Sequence, residues 1–312
     1  MLRSIVAAII FQCIFSTVVL AGWKDARESL DQSYAFGNFR IFYTLKGPNA
    51  FPGDAAERER AVLASGYLEA LADQLARADK HFRTVLGLRT PLSGPRYRGA
   101  TSIDVHILHL EGKSGSTGDE IHVFRYKHFE SSPAALTIAL SNRWRPGNNT
   151  PAHELFHAYQ YGYTLVKTAW FLEGMARSNE SLMGIPGAKQ TPLPRSVEEL
   201  GEVVRRSYGA APLWSRLAQL CGVAVYGSIL AAYEQVDHEI SRARGLKPMA
   251  WPEAEQRSAR NTPYLLRGLS TALDEHCVTK GGSEIEEFKT LLRAMGSGTA
   301  EATAVYPASA SR

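Results

Sequence analysis

Apolar and polar positions change rhythm near the middle of the chain. Residues 39–45 (FRIFYTL) alternate and are rich in aromatics, which predicts a strand. Residues 55–86 place Leu63, Leu68, Leu71, Leu75 and Phe82 at spacings near three and four, which predicts a helix. A Pro/Gly loop at 90–99 (TPLSGPRYRG) leads to three more expected strands, 102–110 (SIDVHILHL), 120–126 (EIHVFRY) and 135–140. Residues 115–118 read as the turn between the first two, and RPGNN at 145–149 breaks the pattern again. From Thr150 onward almost everything reads helical, through Ala218 and then over 226–240, 263–276 and 283–295. No internal repeat is visible. Strands first and helices afterwards imply an α+β fold, with a mixed or antiparallel sheet leading into a mainly helical C-terminal part.

The two ends change what counts as folded chain. Arg3 precedes a mostly apolar run from Ile5 to Leu20, and Val19-Leu20-Ala21 offers small residues before Gly22, the pattern of an export signal. The run is short for a membrane span and is interrupted by Gln12, Ser16 and Thr17; an uncleaved anchor is the competing reading. Residues 1–21 are thus expected to be removed, residues 22–200 to hold the strands and the motif helices, 201–295 a helical subdomain, and 296–312 a frayed tail. The mature chain would be periplasmic or extracellular, with no stable membrane span.

Composition then narrows the classes. The 312 residues are 45% hydrophobic and 21% charged, which excludes wholesale disorder, collagen and coiled coil. A net charge of +4, with no block of like charges, gives no reason to expect a nucleic-acid partner. Three cysteines are too few for a disulfide scaffold. Cys13 leaves with the signal, so in an oxidising compartment Cys221 and Cys277 either bridge or remain as buried thiols.

The chemistry concentrates in PAHELFHAYQ, residues 151–160. Four residues apart on a helix, His153 and His157 project from one face, a separation that suits two nitrogens on one zinc ion. Glu154 can reach a metal-bound water without occupying the metal. Thr150 is a plausible N-cap, and Pro151 suits the first helical position. Two histidines and a water leave zinc one protein ligand short. Further on, WFLEGMA (170–176) sets Glu173 in an apolar run, where burial is costly without a partner such as a metal, making it the natural third ligand.

HELFHAYQ followed by WFLEGMA resembles the gluzincin branch of the zinc metallopeptidases, in particular the broad peptidase MA-like group. The resemblance implies a zincin-like fold, zinc bound by His153, His157 and Glu173, and Glu154 as general base. It covers Thr150 to about Glu180, and loosely the strand-then-helix order. The family often shows E-G-x-A-x-x-x-E, and Glu180 fills the last place; two turns from Glu173, it either orients a histidine or lies solvated near a helix end. Gluzincins usually add a Tyr or His that hydrogen-bonds the oxyanion. Tyr208 is the first choice and His238 the second, against a plain packing role for the tyrosine. His106, His109 and His122 read as surface histidines of strands rather than as ligands.

The mechanism expected from this resemblance is hydrolysis of a peptide or protein by zinc-activated water. Glu154 takes the proton and passes it to the leaving amine. An extended peptide would add to an exposed sheet edge, for which residues 115–126 are the candidate. The alternatives are a zinc hydrolase acting on a non-peptide amide and a non-catalytic peptide-binding protein on the same scaffold; Glu154 speaks against the second. A purely structural zinc is disfavoured because no cysteine lies near the motif. The triplets beginning at Asn148 and Asn179 read as accidental glycosylation sequences.

Overall fold

A computed structural model describes residues 27–124, 134–182, 191–277 and 282–296. The expected export signal with Cys13, the tail beyond Gly296 and the end of the 120–126 strand lie outside these residues. The described chain is α+β, with one five-stranded mixed sheet. The strands are β1 (Gln32–Phe36), β2 (Phe39–Tyr43), β3 (Ser102–Leu108), β4 (Gly115–Thr117) and β5 (Ala135–Ser141). Their order is β1-β2-β3-β5-β4, with β2, β3 and β5 parallel and both outer strands antiparallel to their neighbours.

The central strands are legible because both faces are covered. All seven residues of β3 and six of seven in β5 are buried, giving the near-continuous apolar runs of a covered parallel strand. Asp104 in the middle of β3 is tolerated because Arg40 of β2 donates two bonds to it, at 2.8 and 2.7 Å. β1 has four exposed residues in five and was not expected from its pattern. It forms a hairpin with β2 through Gly37-Asn38, where Gly37 adopts φ 50° and Phe36 stacks on Phe39 at 5.1 Å.

The edge differs from expectation. The sequence predicts a turn at 115–118, but Gly115–Thr117 is a strand, with Gly115, Ser116 and Thr117 opposite Leu140, Ala139 and Ile138. A Cβ at Gly118 would lie 2.6 Å from the Thr137 hydroxyl, so this glycine serves close backbone approach. Within the described residues the 120–126 strand reduces to a single bridge, His122 to Ala135.

The helices are α1 (Glu57–Thr84), α2 (Thr150–Tyr163), α3 (Ala169–Leu182), α4 (Val197–Val204), α5 (Ala211–Cys221), α6 (Val225–Arg244), α7 (Glu253–Gln256), α8 (Thr262–His276) and α9 (Gly282–Gly296). In α1, Leu68, Leu71, Leu75 and Phe82 are buried as expected, whereas Leu63 is exposed. The chain divides into two compact units. Among the described residues, the sheet unit comprises 27–73, 99–124 and 134–151, and the helical unit comprises 74–98, 152–182, 191–277 and 282–296. The motif helices thus group with the helices rather than with the strands up to residue 200. Packing within the helical unit explains this. Phe82 meets Phe156 and Tyr159 edge-on at 5.1 and 5.3 Å, and Trp170 stacks on Trp214 at 5.4 Å.

Two devices hold the helical unit. Cys221 and Cys277 form a disulfide between the end of α5 and the residue after α8, with Cα atoms 5.2 Å apart. It spans 56 residues of sequence, so constraint of the unfolded chain amounts to about 4 kcal/mol. Urea unfolding of the oxidised chain and of a Cys221→Ala/Cys277→Ala variant should differ by about that amount. Equal midpoints would contradict it.

The second device is Asp237 on α6. It accepts hydrogen bonds from the Thr164 hydroxyl and the Leu165 amide, both at 2.7 Å, and so anchors the connection between α2 and α3. Burial pushes its carboxyl up to about 7, reinforced by Glu234 and opposed by those two hydrogen bonds and Arg96. Between the unfolded value near 4 and about 7, the folded chain holds a proton that the unfolded chain releases, so this group's contribution falls as pH rises. Relative to Asp237→Asn, the native chain should lose roughly 2–4 kcal/mol from pH 4 to 8 in urea titrations. A pH-independent difference would contradict the assignment.

No single described helix is long and apolar enough to cross a membrane. The bent pair formed by Tyr208–Cys221 and Val225–Arg244 passes on length and composition, but Trp214, Leu217, Ile229 and Leu230 are buried within the protein.

Candidate metal centre

The start of α2 is fixed by a side chain two residues before it: the Asn148 carboxamide oxygen accepts the Thr150 amide at 2.9 Å. Pro151 follows, where its missing N–H leaves no bond unmade. Thr150 through Gly162 are buried or nearly so, leaving no solvent face for the polar side chains of the motif. Buried polar groups need partners.

His153 and His157 find them on opposite sides. His153 Nδ1 lies 2.8 Å from Glu180 Oε1, and Arg177 donates to the other oxygen of Glu180 at 2.6 Å. His157 Nδ1 lies 2.8 Å from Gln160 Oε1. Gln160 Nε2 donates to the Phe171 and Leu172 carbonyls at 3.4 and 3.2 Å, which fixes its oxygen towards the histidine. Both acceptors face Nδ1, so each imidazole donates from Nδ1 and, when neutral, carries a lone pair on Nε2.

Those two Nε2 atoms converge. They are 3.0 Å apart and lie 3.2 and 3.5 Å from Glu173 Oε2 on α3. His153, His157 and Glu173 form a group that could hold a metal ion. With both imidazoles neutral, three electron-pair donors at such distances repel one another unless a cation, either a proton or a metal ion, lies among them. The charges around them favour one. Burial lowers the basicity of His153, but hydrogen bonds to Glu173 and Glu180 and the charge of Glu154 outweigh it and carry its pKa up to about 9. Burial also opposes ionisation of Glu173, yet the two histidines and Tyr208 hold its carboxyl well below the usual range. A proton and a metal ion compete for the same electron pairs here, so metal affinity falls with acidity.

Glu154 is buried and is not one of the converging ligands, but its charge acts on both His153 and Tyr208. Tyr208 lies in a short turn, Tyr208–Ala210, after α4. Its ring stacks on His153 at 5.7 Å, its hydroxyl hydrogen-bonds Glu173, and the residue as a whole is 55% exposed. Burial and the Glu173, Glu154 and Glu180 carboxylates push its pKa up, so the hydroxyl stays protonated at neutral pH. Gly174 lets this turn approach α3: a Cβ there would lie 2.8 Å from Ala210 Cβ and 2.9 Å from Trp214 Nε1.

The expected residues therefore assemble, with exceptions. Glu180 contacts His153 rather than lying solvated. His238 is exposed on α6 and has no contact with this group among the described residues. His106, read as a surface residue, is buried between Phe42 and Phe124, at 5.5 and 5.0 Å, where burial lowers its basicity; His109 is exposed, and His122 stacks on Phe124 at 5.6 Å. Asn179 is 1% exposed and bonds the Met175 carbonyl, which closes that glycosylation triplet to a glycan in the folded chain. Sequence reasoning missed Gln160 and Arg177. Gln160 sits one turn beyond His157, and that spacing was a usable signal.

Compared with protein-family models, curated proteins and solved structures, the chain finds no match. Motif and local geometry therefore carry the functional reading.

Proposed function

We propose that the chain is an exported zinc-dependent metallopeptidase of gluzincin type. The observation that carries the reading is the ligand triangle. Bonds of 2.0–2.1 Å from a tetrahedral zinc imply ligand-to-ligand edges of about 3.3 Å. The three edges here are 3.0, 3.2 and 3.5 Å, and an ion entering the triangle displaces the proton that His153 otherwise holds on Nε2. Two histidines and one carboxylate are also the ligand set of catalytic zinc sites that keep a fourth position open. Bound zinc would supply a Lewis acid that polarises a carbonyl and makes water nucleophilic at neutral pH.

The chain's own residues divide the remaining work. His153, His157 and Glu173 hold the ion, and Glu180 and Gln160 keep the two imidazoles in the correct tautomer and orientation. Glu154 accepts a proton from water at its carboxylate and returns it to the departing amine. Tyr208 keeps its proton and donates a hydrogen bond from its hydroxyl to the carbonyl oxygen as negative charge develops there. The Cys221–Cys277 bridge supports an oxidising compartment, in keeping with the apolar leader. Digestion of a peptide library by the mature protein, with and without a chelator, tests the activity. Cleavage should stop with chelation and return with zinc; cleavage indifferent to chelator would contradict the reading.

A further inference from the structure

A cleft of about 420 Å³ opens beside the turn that carries Tyr208. Gly209 and Ala210 of that turn line it, so one short element presents Tyr208 to the metal ligands and its next two residues to the cleft. Leu193, Pro194, Val203, Pro212 and Leu213 supply apolar lining. Four charged side chains also line it, and both carboxylates among them are already engaged. Glu199 caps its own helix, with Ser196 accepting the Glu199 amide at 3.2 Å and Glu199 accepting the Arg195 amide at 2.7 Å. Glu202 pairs with Arg205 at 2.6 Å. Arg195 is exposed and acts only weakly, at a distance, on Glu284, which is paired with Arg216.

Arg206 is also exposed and makes no ion pair among the described residues, but its aliphatic stem lies over Gly209, where a Cβ would come 3.3 Å from Arg206 Cδ. A cation beside an apolar cleft whose carboxylates are otherwise engaged is complementary to an anion carried by an apolar group.

We propose that this cleft is a substrate subsite that takes an apolar residue of a peptide, and that Arg206 binds a carboxylate of the same peptide. The proposal rests on the peptidase reading and names the substrate class of that site. Either a free C-terminus or an acidic side chain supplies the carboxylate. Arg206 acts on binding rather than on the chemical step, so its loss should change KM and leave kcat nearly unchanged.

The test uses the mature zinc-loaded protein and matched apolar-rich fluorescent peptides. One pair has a free or amidated C-terminus, and another carries Glu or Gln. The carboxylate-bearing member of at least one pair should show a KM about tenfold lower, weakened by salt. Arg206→Ala should erase that preference and Arg206→Lys should retain part of it. The pair that responds identifies the source of the carboxylate. A preference unchanged in Arg206→Ala, or absent from the native protein, overturns the subsite while leaving the peptidase reading intact. Failure to cleave any peptide overturns the peptidase reading. In that event, fluorescence anisotropy with the same peptides decides the cleft separately: Arg206-dependent binding supports it, and binding indifferent to Arg206 overturns it.

Discussion

Glu154→Gln should lower peptide turnover by about three orders of magnitude while the chain still binds one zinc ion. The size follows from removing a positioned proton acceptor, an effect usually worth 10²- to 10⁴-fold. Retention of zinc follows from geometry, because Glu154 is not among the three converging ligand atoms. Glutamine preserves the volume of a buried side chain, so a folding defect is not expected. Steady-state rates and metal content measured on the same preparation separate the outcomes. Unchanged turnover would remove Glu154 as the base, and loss of zinc would mean that it supports the metal.

His157→Ala should abolish stoichiometric zinc retention, since it leaves only His153 and Glu173 as protein ligands. It also leaves Gln160 Oε1 without the Nδ1 donor that it faces at 2.8 Å. Gln160→Leu removes the orienting partner and keeps every ligand, so its expected loss of zinc affinity is smaller, about 10- to 100-fold. Competition with a chromogenic chelator measures both. Equal retention by the native chain and His157→Ala would show that zinc binds elsewhere.

The parts of the fold that were legible are those where burial imposes a period. β2, β3, β5 and the long α1 announce themselves because their apolar positions face a core. β1 is an outer strand with a solvated face, so no apolar run marks it; only Gly37-Asn38, a hairpin signal, did. β4 is three residues long beside Gly118, and its pairing with β5 comes from contacts distant in sequence. The grouping of α2 and α3 with the helices depends on aromatic packing such as Phe82 on Phe156, which adjacency along the chain does not encode.

The site was more legible than the fold around it. His153 and His157 are one helical turn apart, so local geometry alone brings their nitrogens together. Glu173 was expected because an ionised side chain amid Trp170, Phe171 and Leu172 requires a partner. Tyr208 could be placed only through a resemblance, because its approach depends on Gly174 admitting Ala210. Arg177 and Asp237 act through neighbours, one holding Glu180 and the other the connection between α2 and α3, and neither carries a sequence signature.

Metal analysis of the purified mature chain, after zinc reconstitution and desalting, decides whether His153, His157 and Glu173 bind zinc. One zinc ion per native chain and none in His157→Ala are expected; a native chain without stoichiometric zinc would show that these three residues do not form a zinc site.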